Sequence, residues 1–231
     1  MNFWIVTGAS SGIGFEMVLV LLNQGKKVIG LSRKKPAIDH VNFSFFPMDL
    51  EKIDDLEKLP FKCQDLEGVI FCHGIGIFKK FEEFSFNAIE KIMNINLYST
   101  ILLTKHFLPY LKKTPSGYLI YIGSEAGLEG KIRSSIYSAS KFALRGFFQS
   151  IRQESASSNL KVISIQPGMT RTAFYENLNF EPKEDEKCAI DPKDIAQLIP
   201  WITSCKIGSC PDEIVMNPQA YALKFKPSTT S

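Results

Sequence analysis

The sequence predicts an α/β domain built on one doubly wound parallel sheet of about seven strands, with helices on both faces. Three observations predict it. Short apolar runs alternate along the chain with longer segments of helical period. Several of those runs are apolar on both sides, as strands covered by helices on both faces must be. A glycine-rich turn stands between the first strand and the first helix, at the edge where such sheets take their ligands.

The elements follow in order. Phe3–Val6 is the first strand, and after the turn Phe15–Gln24 is a helix that Gly25 stops. Val28–Leu31 is the second strand. Val41, Phe43 and Phe45 alternate with polar residues as a third strand does. Asp54–Leu59 makes a short helix, and Val69–Cys72 the fourth strand. Phe86–Leu111 repeats apolar residues at helical spacing over more than one face, with Ser85 as its cap. Pro109 falls near its end, where a missing hydrogen bond costs least. Tyr118–Ile122 is the fifth strand, Ser135–Ser155 a second long helix, and Val162–Ile165 a sixth strand closed by Pro167-Gly168. Asp191 caps a helix that Pro192 opens. Ile214–Met216 is the last strand.

The bulk numbers agree with one packed domain over 1–231, with 226–231 as a flexible tail. Of 231 residues, 45% are hydrophobic and 22% charged. Twenty-seven basic residues against 24 acidic give a net charge of +3, too even to imply a nucleic-acid or membrane partner. The longest clean apolar run, Met17–Leu22, is too short to cross a bilayer. No signal peptide opens the chain. The five cysteines are odd in number and form no Cys-x-x-Cys, which points to reduced thiols and the cytoplasm, and no histidine pairing suggests a metal site.

The turn reads Thr7-Gly8-Ala9-Ser10-Ser11-Gly12-Ile13-Gly14. Its glycines allow a tight bend and close approach to a pyrophosphate, which the amides of the following helix would hold. Ser10 and Ser11 add hydroxyls. A site for NAD needs a carboxylate at the end of the second strand. Here the chain has Ser32-Arg33-Lys34-Lys35 and no acid before Asp39. Arg33 suits a 2′-phosphate, so the expected cofactor is NADP(H).

Ser124, Tyr137 and Lys141 carry the chemistry. Tyr137 and Lys141 are one helical turn apart on a shared face, and Ser124 closes the preceding strand. A carbonyl reduced by hydride needs a proton donor. A nearby ammonium lowers a phenol's pKa toward a useful value, and a hydroxyl can hold the carbonyl beside it. Lys141 would also hold the nicotinamide ribose.

These motifs resemble the short-chain dehydrogenase/reductase family. The glycine turn matches its cofactor motif, and Tyr137-Ser138-Ala139-Ser140-Lys141 matches its Tyr-x-x-x-Lys, with Ser124 at a typical distance upstream. The resemblance spans about residues 3–217 and implies a single Rossmann-type, NADP(H)-binding domain. It further implies that Asn96 holds a water in a proton relay to the lysine. It implies too that Asp49 and Leu50 meet the adenine, and that the Pro167–Thr172 segment, with Pro167, Gly168, Thr170 and Thr172, meets the carboxamide.

One stretch departs from the family. Where Asn-Asn-Ala-Gly is usual, the chain has Phe71-Cys72-His73-Gly74. Gly74 keeps the close backbone approach to the cofactor. The lost asparagine hydrogen bonds must be replaced or missing; His73 is expected beside the cofactor ribose and Cys72 in the core. The substrate lid is expected over Ala173–Ala189, with Phe174, Tyr175 and Phe180 facing the pocket. Its shortness suits a small carbonyl or alcohol substrate. The apolar surface of the two long helices suggests a homodimer or homotetramer. The alternative function is a non-catalytic NADP(H)-sensing regulator of the same fold.

Overall fold

The computed structural model describes residues 2–53, 59 and 63–226. The helix expected over Asp54–Leu59 therefore lies outside the described residues, as does the tail beyond Lys226. The strands are β1 (Phe3–Thr7), β2 (Lys27–Ser32), β3 (Phe43–Pro47), β4 (Leu66–Phe71), β5 (Gly117–Ile122), β6 (Leu160–Pro167), β7 (Phe180–Pro182), β8 (Glu213–Met216) and β9 (Leu223–Phe225). Seven of them form one sheet in the order β3-β2-β1-β4-β5-β6-β8. Every pairing in it is parallel. The remaining two, β7 and β9, make a small antiparallel ribbon.

β1, β5 and β6 are buried along their whole length, as the two-sided apolar runs require. The helices α1 (Gly12–Asn23), α2 (Phe86–Met93), α3 (Ser99–Leu111), α4 (Ser135–Glu154), α5 (Pro192–Ala196) and α6 (Leu198–Ser204) supply the cover. On one face α1, α5 and α6 bring Met17, Leu21, Ile195 and Ile199 against Val6 and Ile120. On the other, α3 and α4 bring Leu103, Phe107, Leu144 and Phe148 against Ile5 and Leu119. Each such side chain contributes about 1.5–3 kcal/mol on burial. Ser85 accepts from the Ala88 amide and Asp191 from that of Lys193, so both caps form as their residue types dictate.

Three features differ from the sequence reading. β3 begins at Phe43, because Val41 is 95% exposed in the loop before it. The stretch 86–111 is helical throughout but contains a π turn over Asn94–Tyr98. Apolar spacing reports which face is buried, not the wider turn needed to aim Asn96 at a neighbouring loop. Lys226 is not part of a loose tail: its amide donates to the Asn179 carbonyl at 2.9 Å, and its ammonium to that of Tyr175 at 2.5 Å.

The strand order reverses between β1 and β4. A cleft opens there, outside the carboxyl ends of the strands. Among the described residues no helix is long and apolar enough to cross a membrane, and no cluster of His, Cys, Asp and Glu is suited to a metal.

Candidate active site

The cleft has a volume of about 1330 Å³. Its wall holds Gly8, Ser10, Ser11, Gly12, Ile13 and Gly14 from the glycine turn, with Arg33, Asp49, Leu50 and Gly74. It also holds Ser124, Tyr137, Lys141, Pro167, Gly168, Thr170 and Thr172. Every residue singled out in the sequence therefore faces one space, except Asn96, which stands behind the wall.

Gly8 has φ +65° and Gly12 φ +56°, a conformation other residues rarely adopt. A Cβ on Gly14 would lie 2.3 Å from the Gly8 carbonyl oxygen, so the turn folds onto bare backbone. Ser11 is the N-cap of α1, yet its side chain makes no capping bond, and the first turn has no acid. The amides of that turn are left to a ligand, and an anion fits them. Arg33 and Lys34 stand exposed at the end of β2 on the same cleft. The donor set fits a phosphorylated dinucleotide.

Helix α4 buries both Tyr137 and Lys141, at 8% and 4% exposure. The Tyr137 phenol is hydrogen-bonded to Ser124. Burial pushes the phenol up to about 12, with the Ser124 bond pulling the other way. Lys141 Nζ lies 5.7 Å from the centre of the Tyr137 ring and 5.2 Å from that of Tyr121. It donates at 3.5 Å to the Ile122 carbonyl. The Tyr137 pKa is thus raised, where the sequence led us to expect it lowered, because desolvation dominates. The same desolvation brings Lys141 down to about 8.

Asn96 acts as a brace. Its Oδ1 accepts from the Ile75 amide at 2.8 Å, and its Nδ2 donates to the Ile75 carbonyl at 3.0 Å and to Ser140 Oγ at 3.1 Å. Both amide hydrogens are used, and the residue ties the loop after β4 to α4 beside Lys141. A Cβ on Gly74 would sit 3.3 Å from Asn96 Oδ1 and 3.6 Å from Lys141 Nζ.

His73 lines the cleft, with its ring nitrogens turned to protein partners. It is 9% exposed, with Nδ1 2.7 Å from Thr7 Oγ1 and Nε2 2.8 Å from Ser99 Oγ and 3.1 Å from Thr100 Oγ1. Ser99 spends its proton on the Ile95 carbonyl at 2.6 Å, so it accepts from Nε2–H, and Nδ1 accepts from Thr7. One neutral tautomer satisfies every partner. Burial and the Lys141 charge lower its pKa to about 3. The hydrogen bonds expected of the missing asparagines are therefore supplied, by a different side chain. Cys72 sits beside it, its thiol pushed up by burial.

Sequence reasoning missed the support behind Ser124. The Ser124 amide donates to Gln166 Oε1 at 2.8 Å, and Gln166 Nε2 donates to Glu213 Oε1 at 3.4 Å. Glu213 receives Arg145 of α4 in a fork at 2.6 and 2.7 Å. The residues are 124, 145, 166 and 213, and no local spacing links them. Of the phenylalanines between 78 and 86, Phe78 lines the cleft, while Phe81 and Phe86 are exposed. Phe174, Tyr175 and Phe180 do face the cleft, as expected.

The family model for short chain dehydrogenases matches residues 2–183. An uncharacterized oxidoreductase of Staphylococcus aureus is 31% identical over 206 residues, 84% of this chain and 87% of that protein. One of Staphylococcus saprophyticus is 29% identical over 207 residues, with the same coverage. Among solved structures, a serine dehydrogenase complexed with NADP+ aligns with a TM-score of 0.78 at 20% identity, covering 99% of this chain and 96% of that one. A 4-hydroxyisoleucine dehydrogenase complexed with NADH and succinate aligns at 0.79 and 23%, covering 94% and 98%.

Proposed function

The chain belongs to the short-chain dehydrogenase family, and from that premise we propose that it is an NADP(H)-dependent oxidoreductase interconverting a small carbonyl compound and its alcohol. One observation carries the reading: the Tyr137 phenol, hydrogen-bonded to Ser124 and one turn from Lys141, opens on the same cleft as the uncapped start of α1.

When bound, the nicotinamide supplies or accepts the hydride. The chain's residues do the rest. The first turn of α1 holds the pyrophosphate, and Arg33 with Lys34 neutralises a 2′-phosphate. Ser124 donates to the substrate oxygen and sets it beside the phenol. Tyr137, kept protonated at neutral pH by burial, passes its proton to that oxygen as the carbonyl is reduced. Lys141 gives the cleft a positive charge near the ribose and the phenol. Asn96 and Ser140 fix the loop and helix that carry Gly74 and Lys141.

Exposed aromatic side chains on the long helices, Tyr98, Tyr110 and Phe142, support a homodimer or homotetramer. The five free cysteines fit a reducing, cytoplasmic setting.

The test is NADPH oxidation against a panel of carbonyl compounds, with Tyr137→Phe as the paired variant. Turnover by the natural sequence, lost in the variant while NADPH still binds, is the expected result. NADPH binding without turnover in either protein would instead favour a nucleotide sensor.

A further inference from the structure

The cleft divides into two chemically different halves. The half near β2 and β3 is polar and basic at its rim, with Arg33 and Lys34. The half above Tyr137 is a cage of rings. Phe78 is its hub, with ring centres 5.3 Å from Tyr137, 6.2 Å from Phe174 and 5.2 Å from Phe180. Phe174 lies 6.0 Å from Tyr137 and 5.4 Å from Tyr175. These contacts are edge-on or tilted, and they span the loop after β4, helix α4 and the lid. Gly76 makes the closure possible: a Cβ there would fall 2.4 Å from Phe174 Cζ and 2.6 Å from Phe78 Cε2.

The charge around this half is mixed, with one carboxylate set into its wall. Glu125 follows Ser124 into the cleft and its carboxylate is hydrogen-bonded to Tyr221. Two cations stand nearby on the rim, Lys131 and Arg133, both exposed. Lys131 is bonded to the Glu129 carboxylate. Lys226 gives its protons to the carbonyls of Tyr175 and Glu176 and lies 3.5 Å from the Glu181 carboxylate. A substrate carboxylate in this half would share its wall with the Glu125 carboxylate.

We infer that the substrate of this cleft is a neutral carbonyl compound whose carbonyl carries a flat aromatic group, an aryl ketone or aryl aldehyde. The inference rests on the oxidoreductase reading and names the substrate class for that site. The aryl ring takes a place among Phe78, Phe174 and Phe180, meeting edges and faces as the rings already meet one another. Its carbonyl then reaches Ser124 and Tyr137. In the reduction the C=O π bond breaks. The carbon gains one hydrogen and two electrons from bound NADPH, the oxygen gains the Tyr137 proton, and NADP+ remains.

The experiment compares kcat/KM at saturating NADPH for acetophenone, cyclohexyl methyl ketone and phenylglyoxylate, in the natural protein, Phe78→Leu and Glu125→Gln. The first pair differ in flatness at similar size; the third adds a carboxylate to the aryl carbonyl. The expected result is a preference for acetophenone over the saturated ketone that falls about three- to tenfold in Phe78→Leu. Comparing ratios between proteins removes the intrinsic reactivity of each carbonyl. Phenylglyoxylate is expected to gain on acetophenone in Glu125→Gln. A saturated-to-aryl ratio unmoved by Phe78→Leu overturns the inference, as does preferential reduction of phenylglyoxylate by the natural protein. Oxidation of serine or another hydroxy amino acid with NADP+, and no aryl reduction, overturns the substrate class but leaves the oxidoreductase reading standing. NADPH binding seen by fluorescence with no turnover of any substrate overturns both.

Discussion

His73 Nδ1 stands 2.7 Å from Thr7 Oγ1, joining the end of β4 to the end of β1 at the mouth of the cleft. The opposite nitrogen is tied to Ser99 and Thr100 at the start of α3. A single imidazole thus links both strands at the switch point to the helix that follows the π turn.

Because His73 is neutral when folded, with a pKa near 3, and has an ordinary value of 6.5 when unfolded, the unfolded chain binds the extra proton between those values. Stability contributed here is present above pH 6.5 and is lost as pH falls toward 3, by up to about 1.4 kcal/mol per pH unit. His73→Asn keeps a donor and an acceptor without that titration. Urea unfolding from pH 7 to pH 4 is expected to show a shallower loss in the variant. His73→Ala, which leaves Thr7 and Ser99 without this partner, is expected to cost about 2–3 kcal/mol at pH 7.

Lys141 has linkage of the same sign, in a higher pH window. Its folded pKa is near 8 against 10.5 unfolded, so the unfolded chain holds the proton between those values and stability rises with pH there. Below pH 8 the full cost of burying the charge is present, about 3 kcal/mol. Lys141→Met is expected to raise the stability of the cofactor-free protein at pH 7 by about 1–3 kcal/mol while abolishing turnover. Thermal unfolding and NADPH oxidation on the same sample check both halves.

The same titration sets a pH limit on catalysis. Burial keeps Tyr137 protonated to about 12, so the first group lost with rising pH is the Lys141 charge. The kcat/KM for carbonyl reduction is expected to fall above an apparent pKa near 8. A profile flat to pH 10 would remove Lys141 from the step.

Arg33→Asp places a carboxylate where a 2′-phosphate would lie. NADPH affinity is expected to fall at least about tenfold and NADH affinity to hold or improve, read by fluorescence titration. An unchanged preference would move phosphate recognition elsewhere, with Lys34 as the next cation on that rim.

Gln166, 1% exposed, holds the Ser124 amide and leads on to Glu213 and Arg145. Gln166→Leu leaves that amide without its acceptor. The expected loss is about 1–3 kcal/mol of stability, with a drop in kcat larger than any change in NADPH affinity. Equal effects on kcat and NADPH affinity would mean that the whole cleft had shifted.

The glycine turn, the Tyr137–Lys141 spacing and the sheet strands were legible because each is local: a bend, one helical turn, a short apolar run. What escaped was non-local or depended on backbone pitch. Gln166 and Glu213 meet Ser124 and Arg145 only through strand register. The β7–β9 ribbon joins three-residue strands across forty residues of chain, with Lys224 paired to Glu184 at 2.9 Å and Lys226 3.5 Å from Glu181. The role of His73 could not be read from its position in the motif, because its three partners come from two other elements.

The widened turn at Asn94–Tyr98 also joins the two helices on either side of it. Each helical residue advances the chain by about 100°. A π turn spends one residue more than an α turn on the same rotation, so removing one residue from this stretch would restore ordinary pitch with α2 and α3 close to their present phase. Ile92, now fully buried, would stay in the core, while Asn96 would lose the wider turn that sets it against the Ile75 backbone. The extra residue is thus spent on aiming one side chain, and its removal would be felt beside the cleft before it was felt in the core.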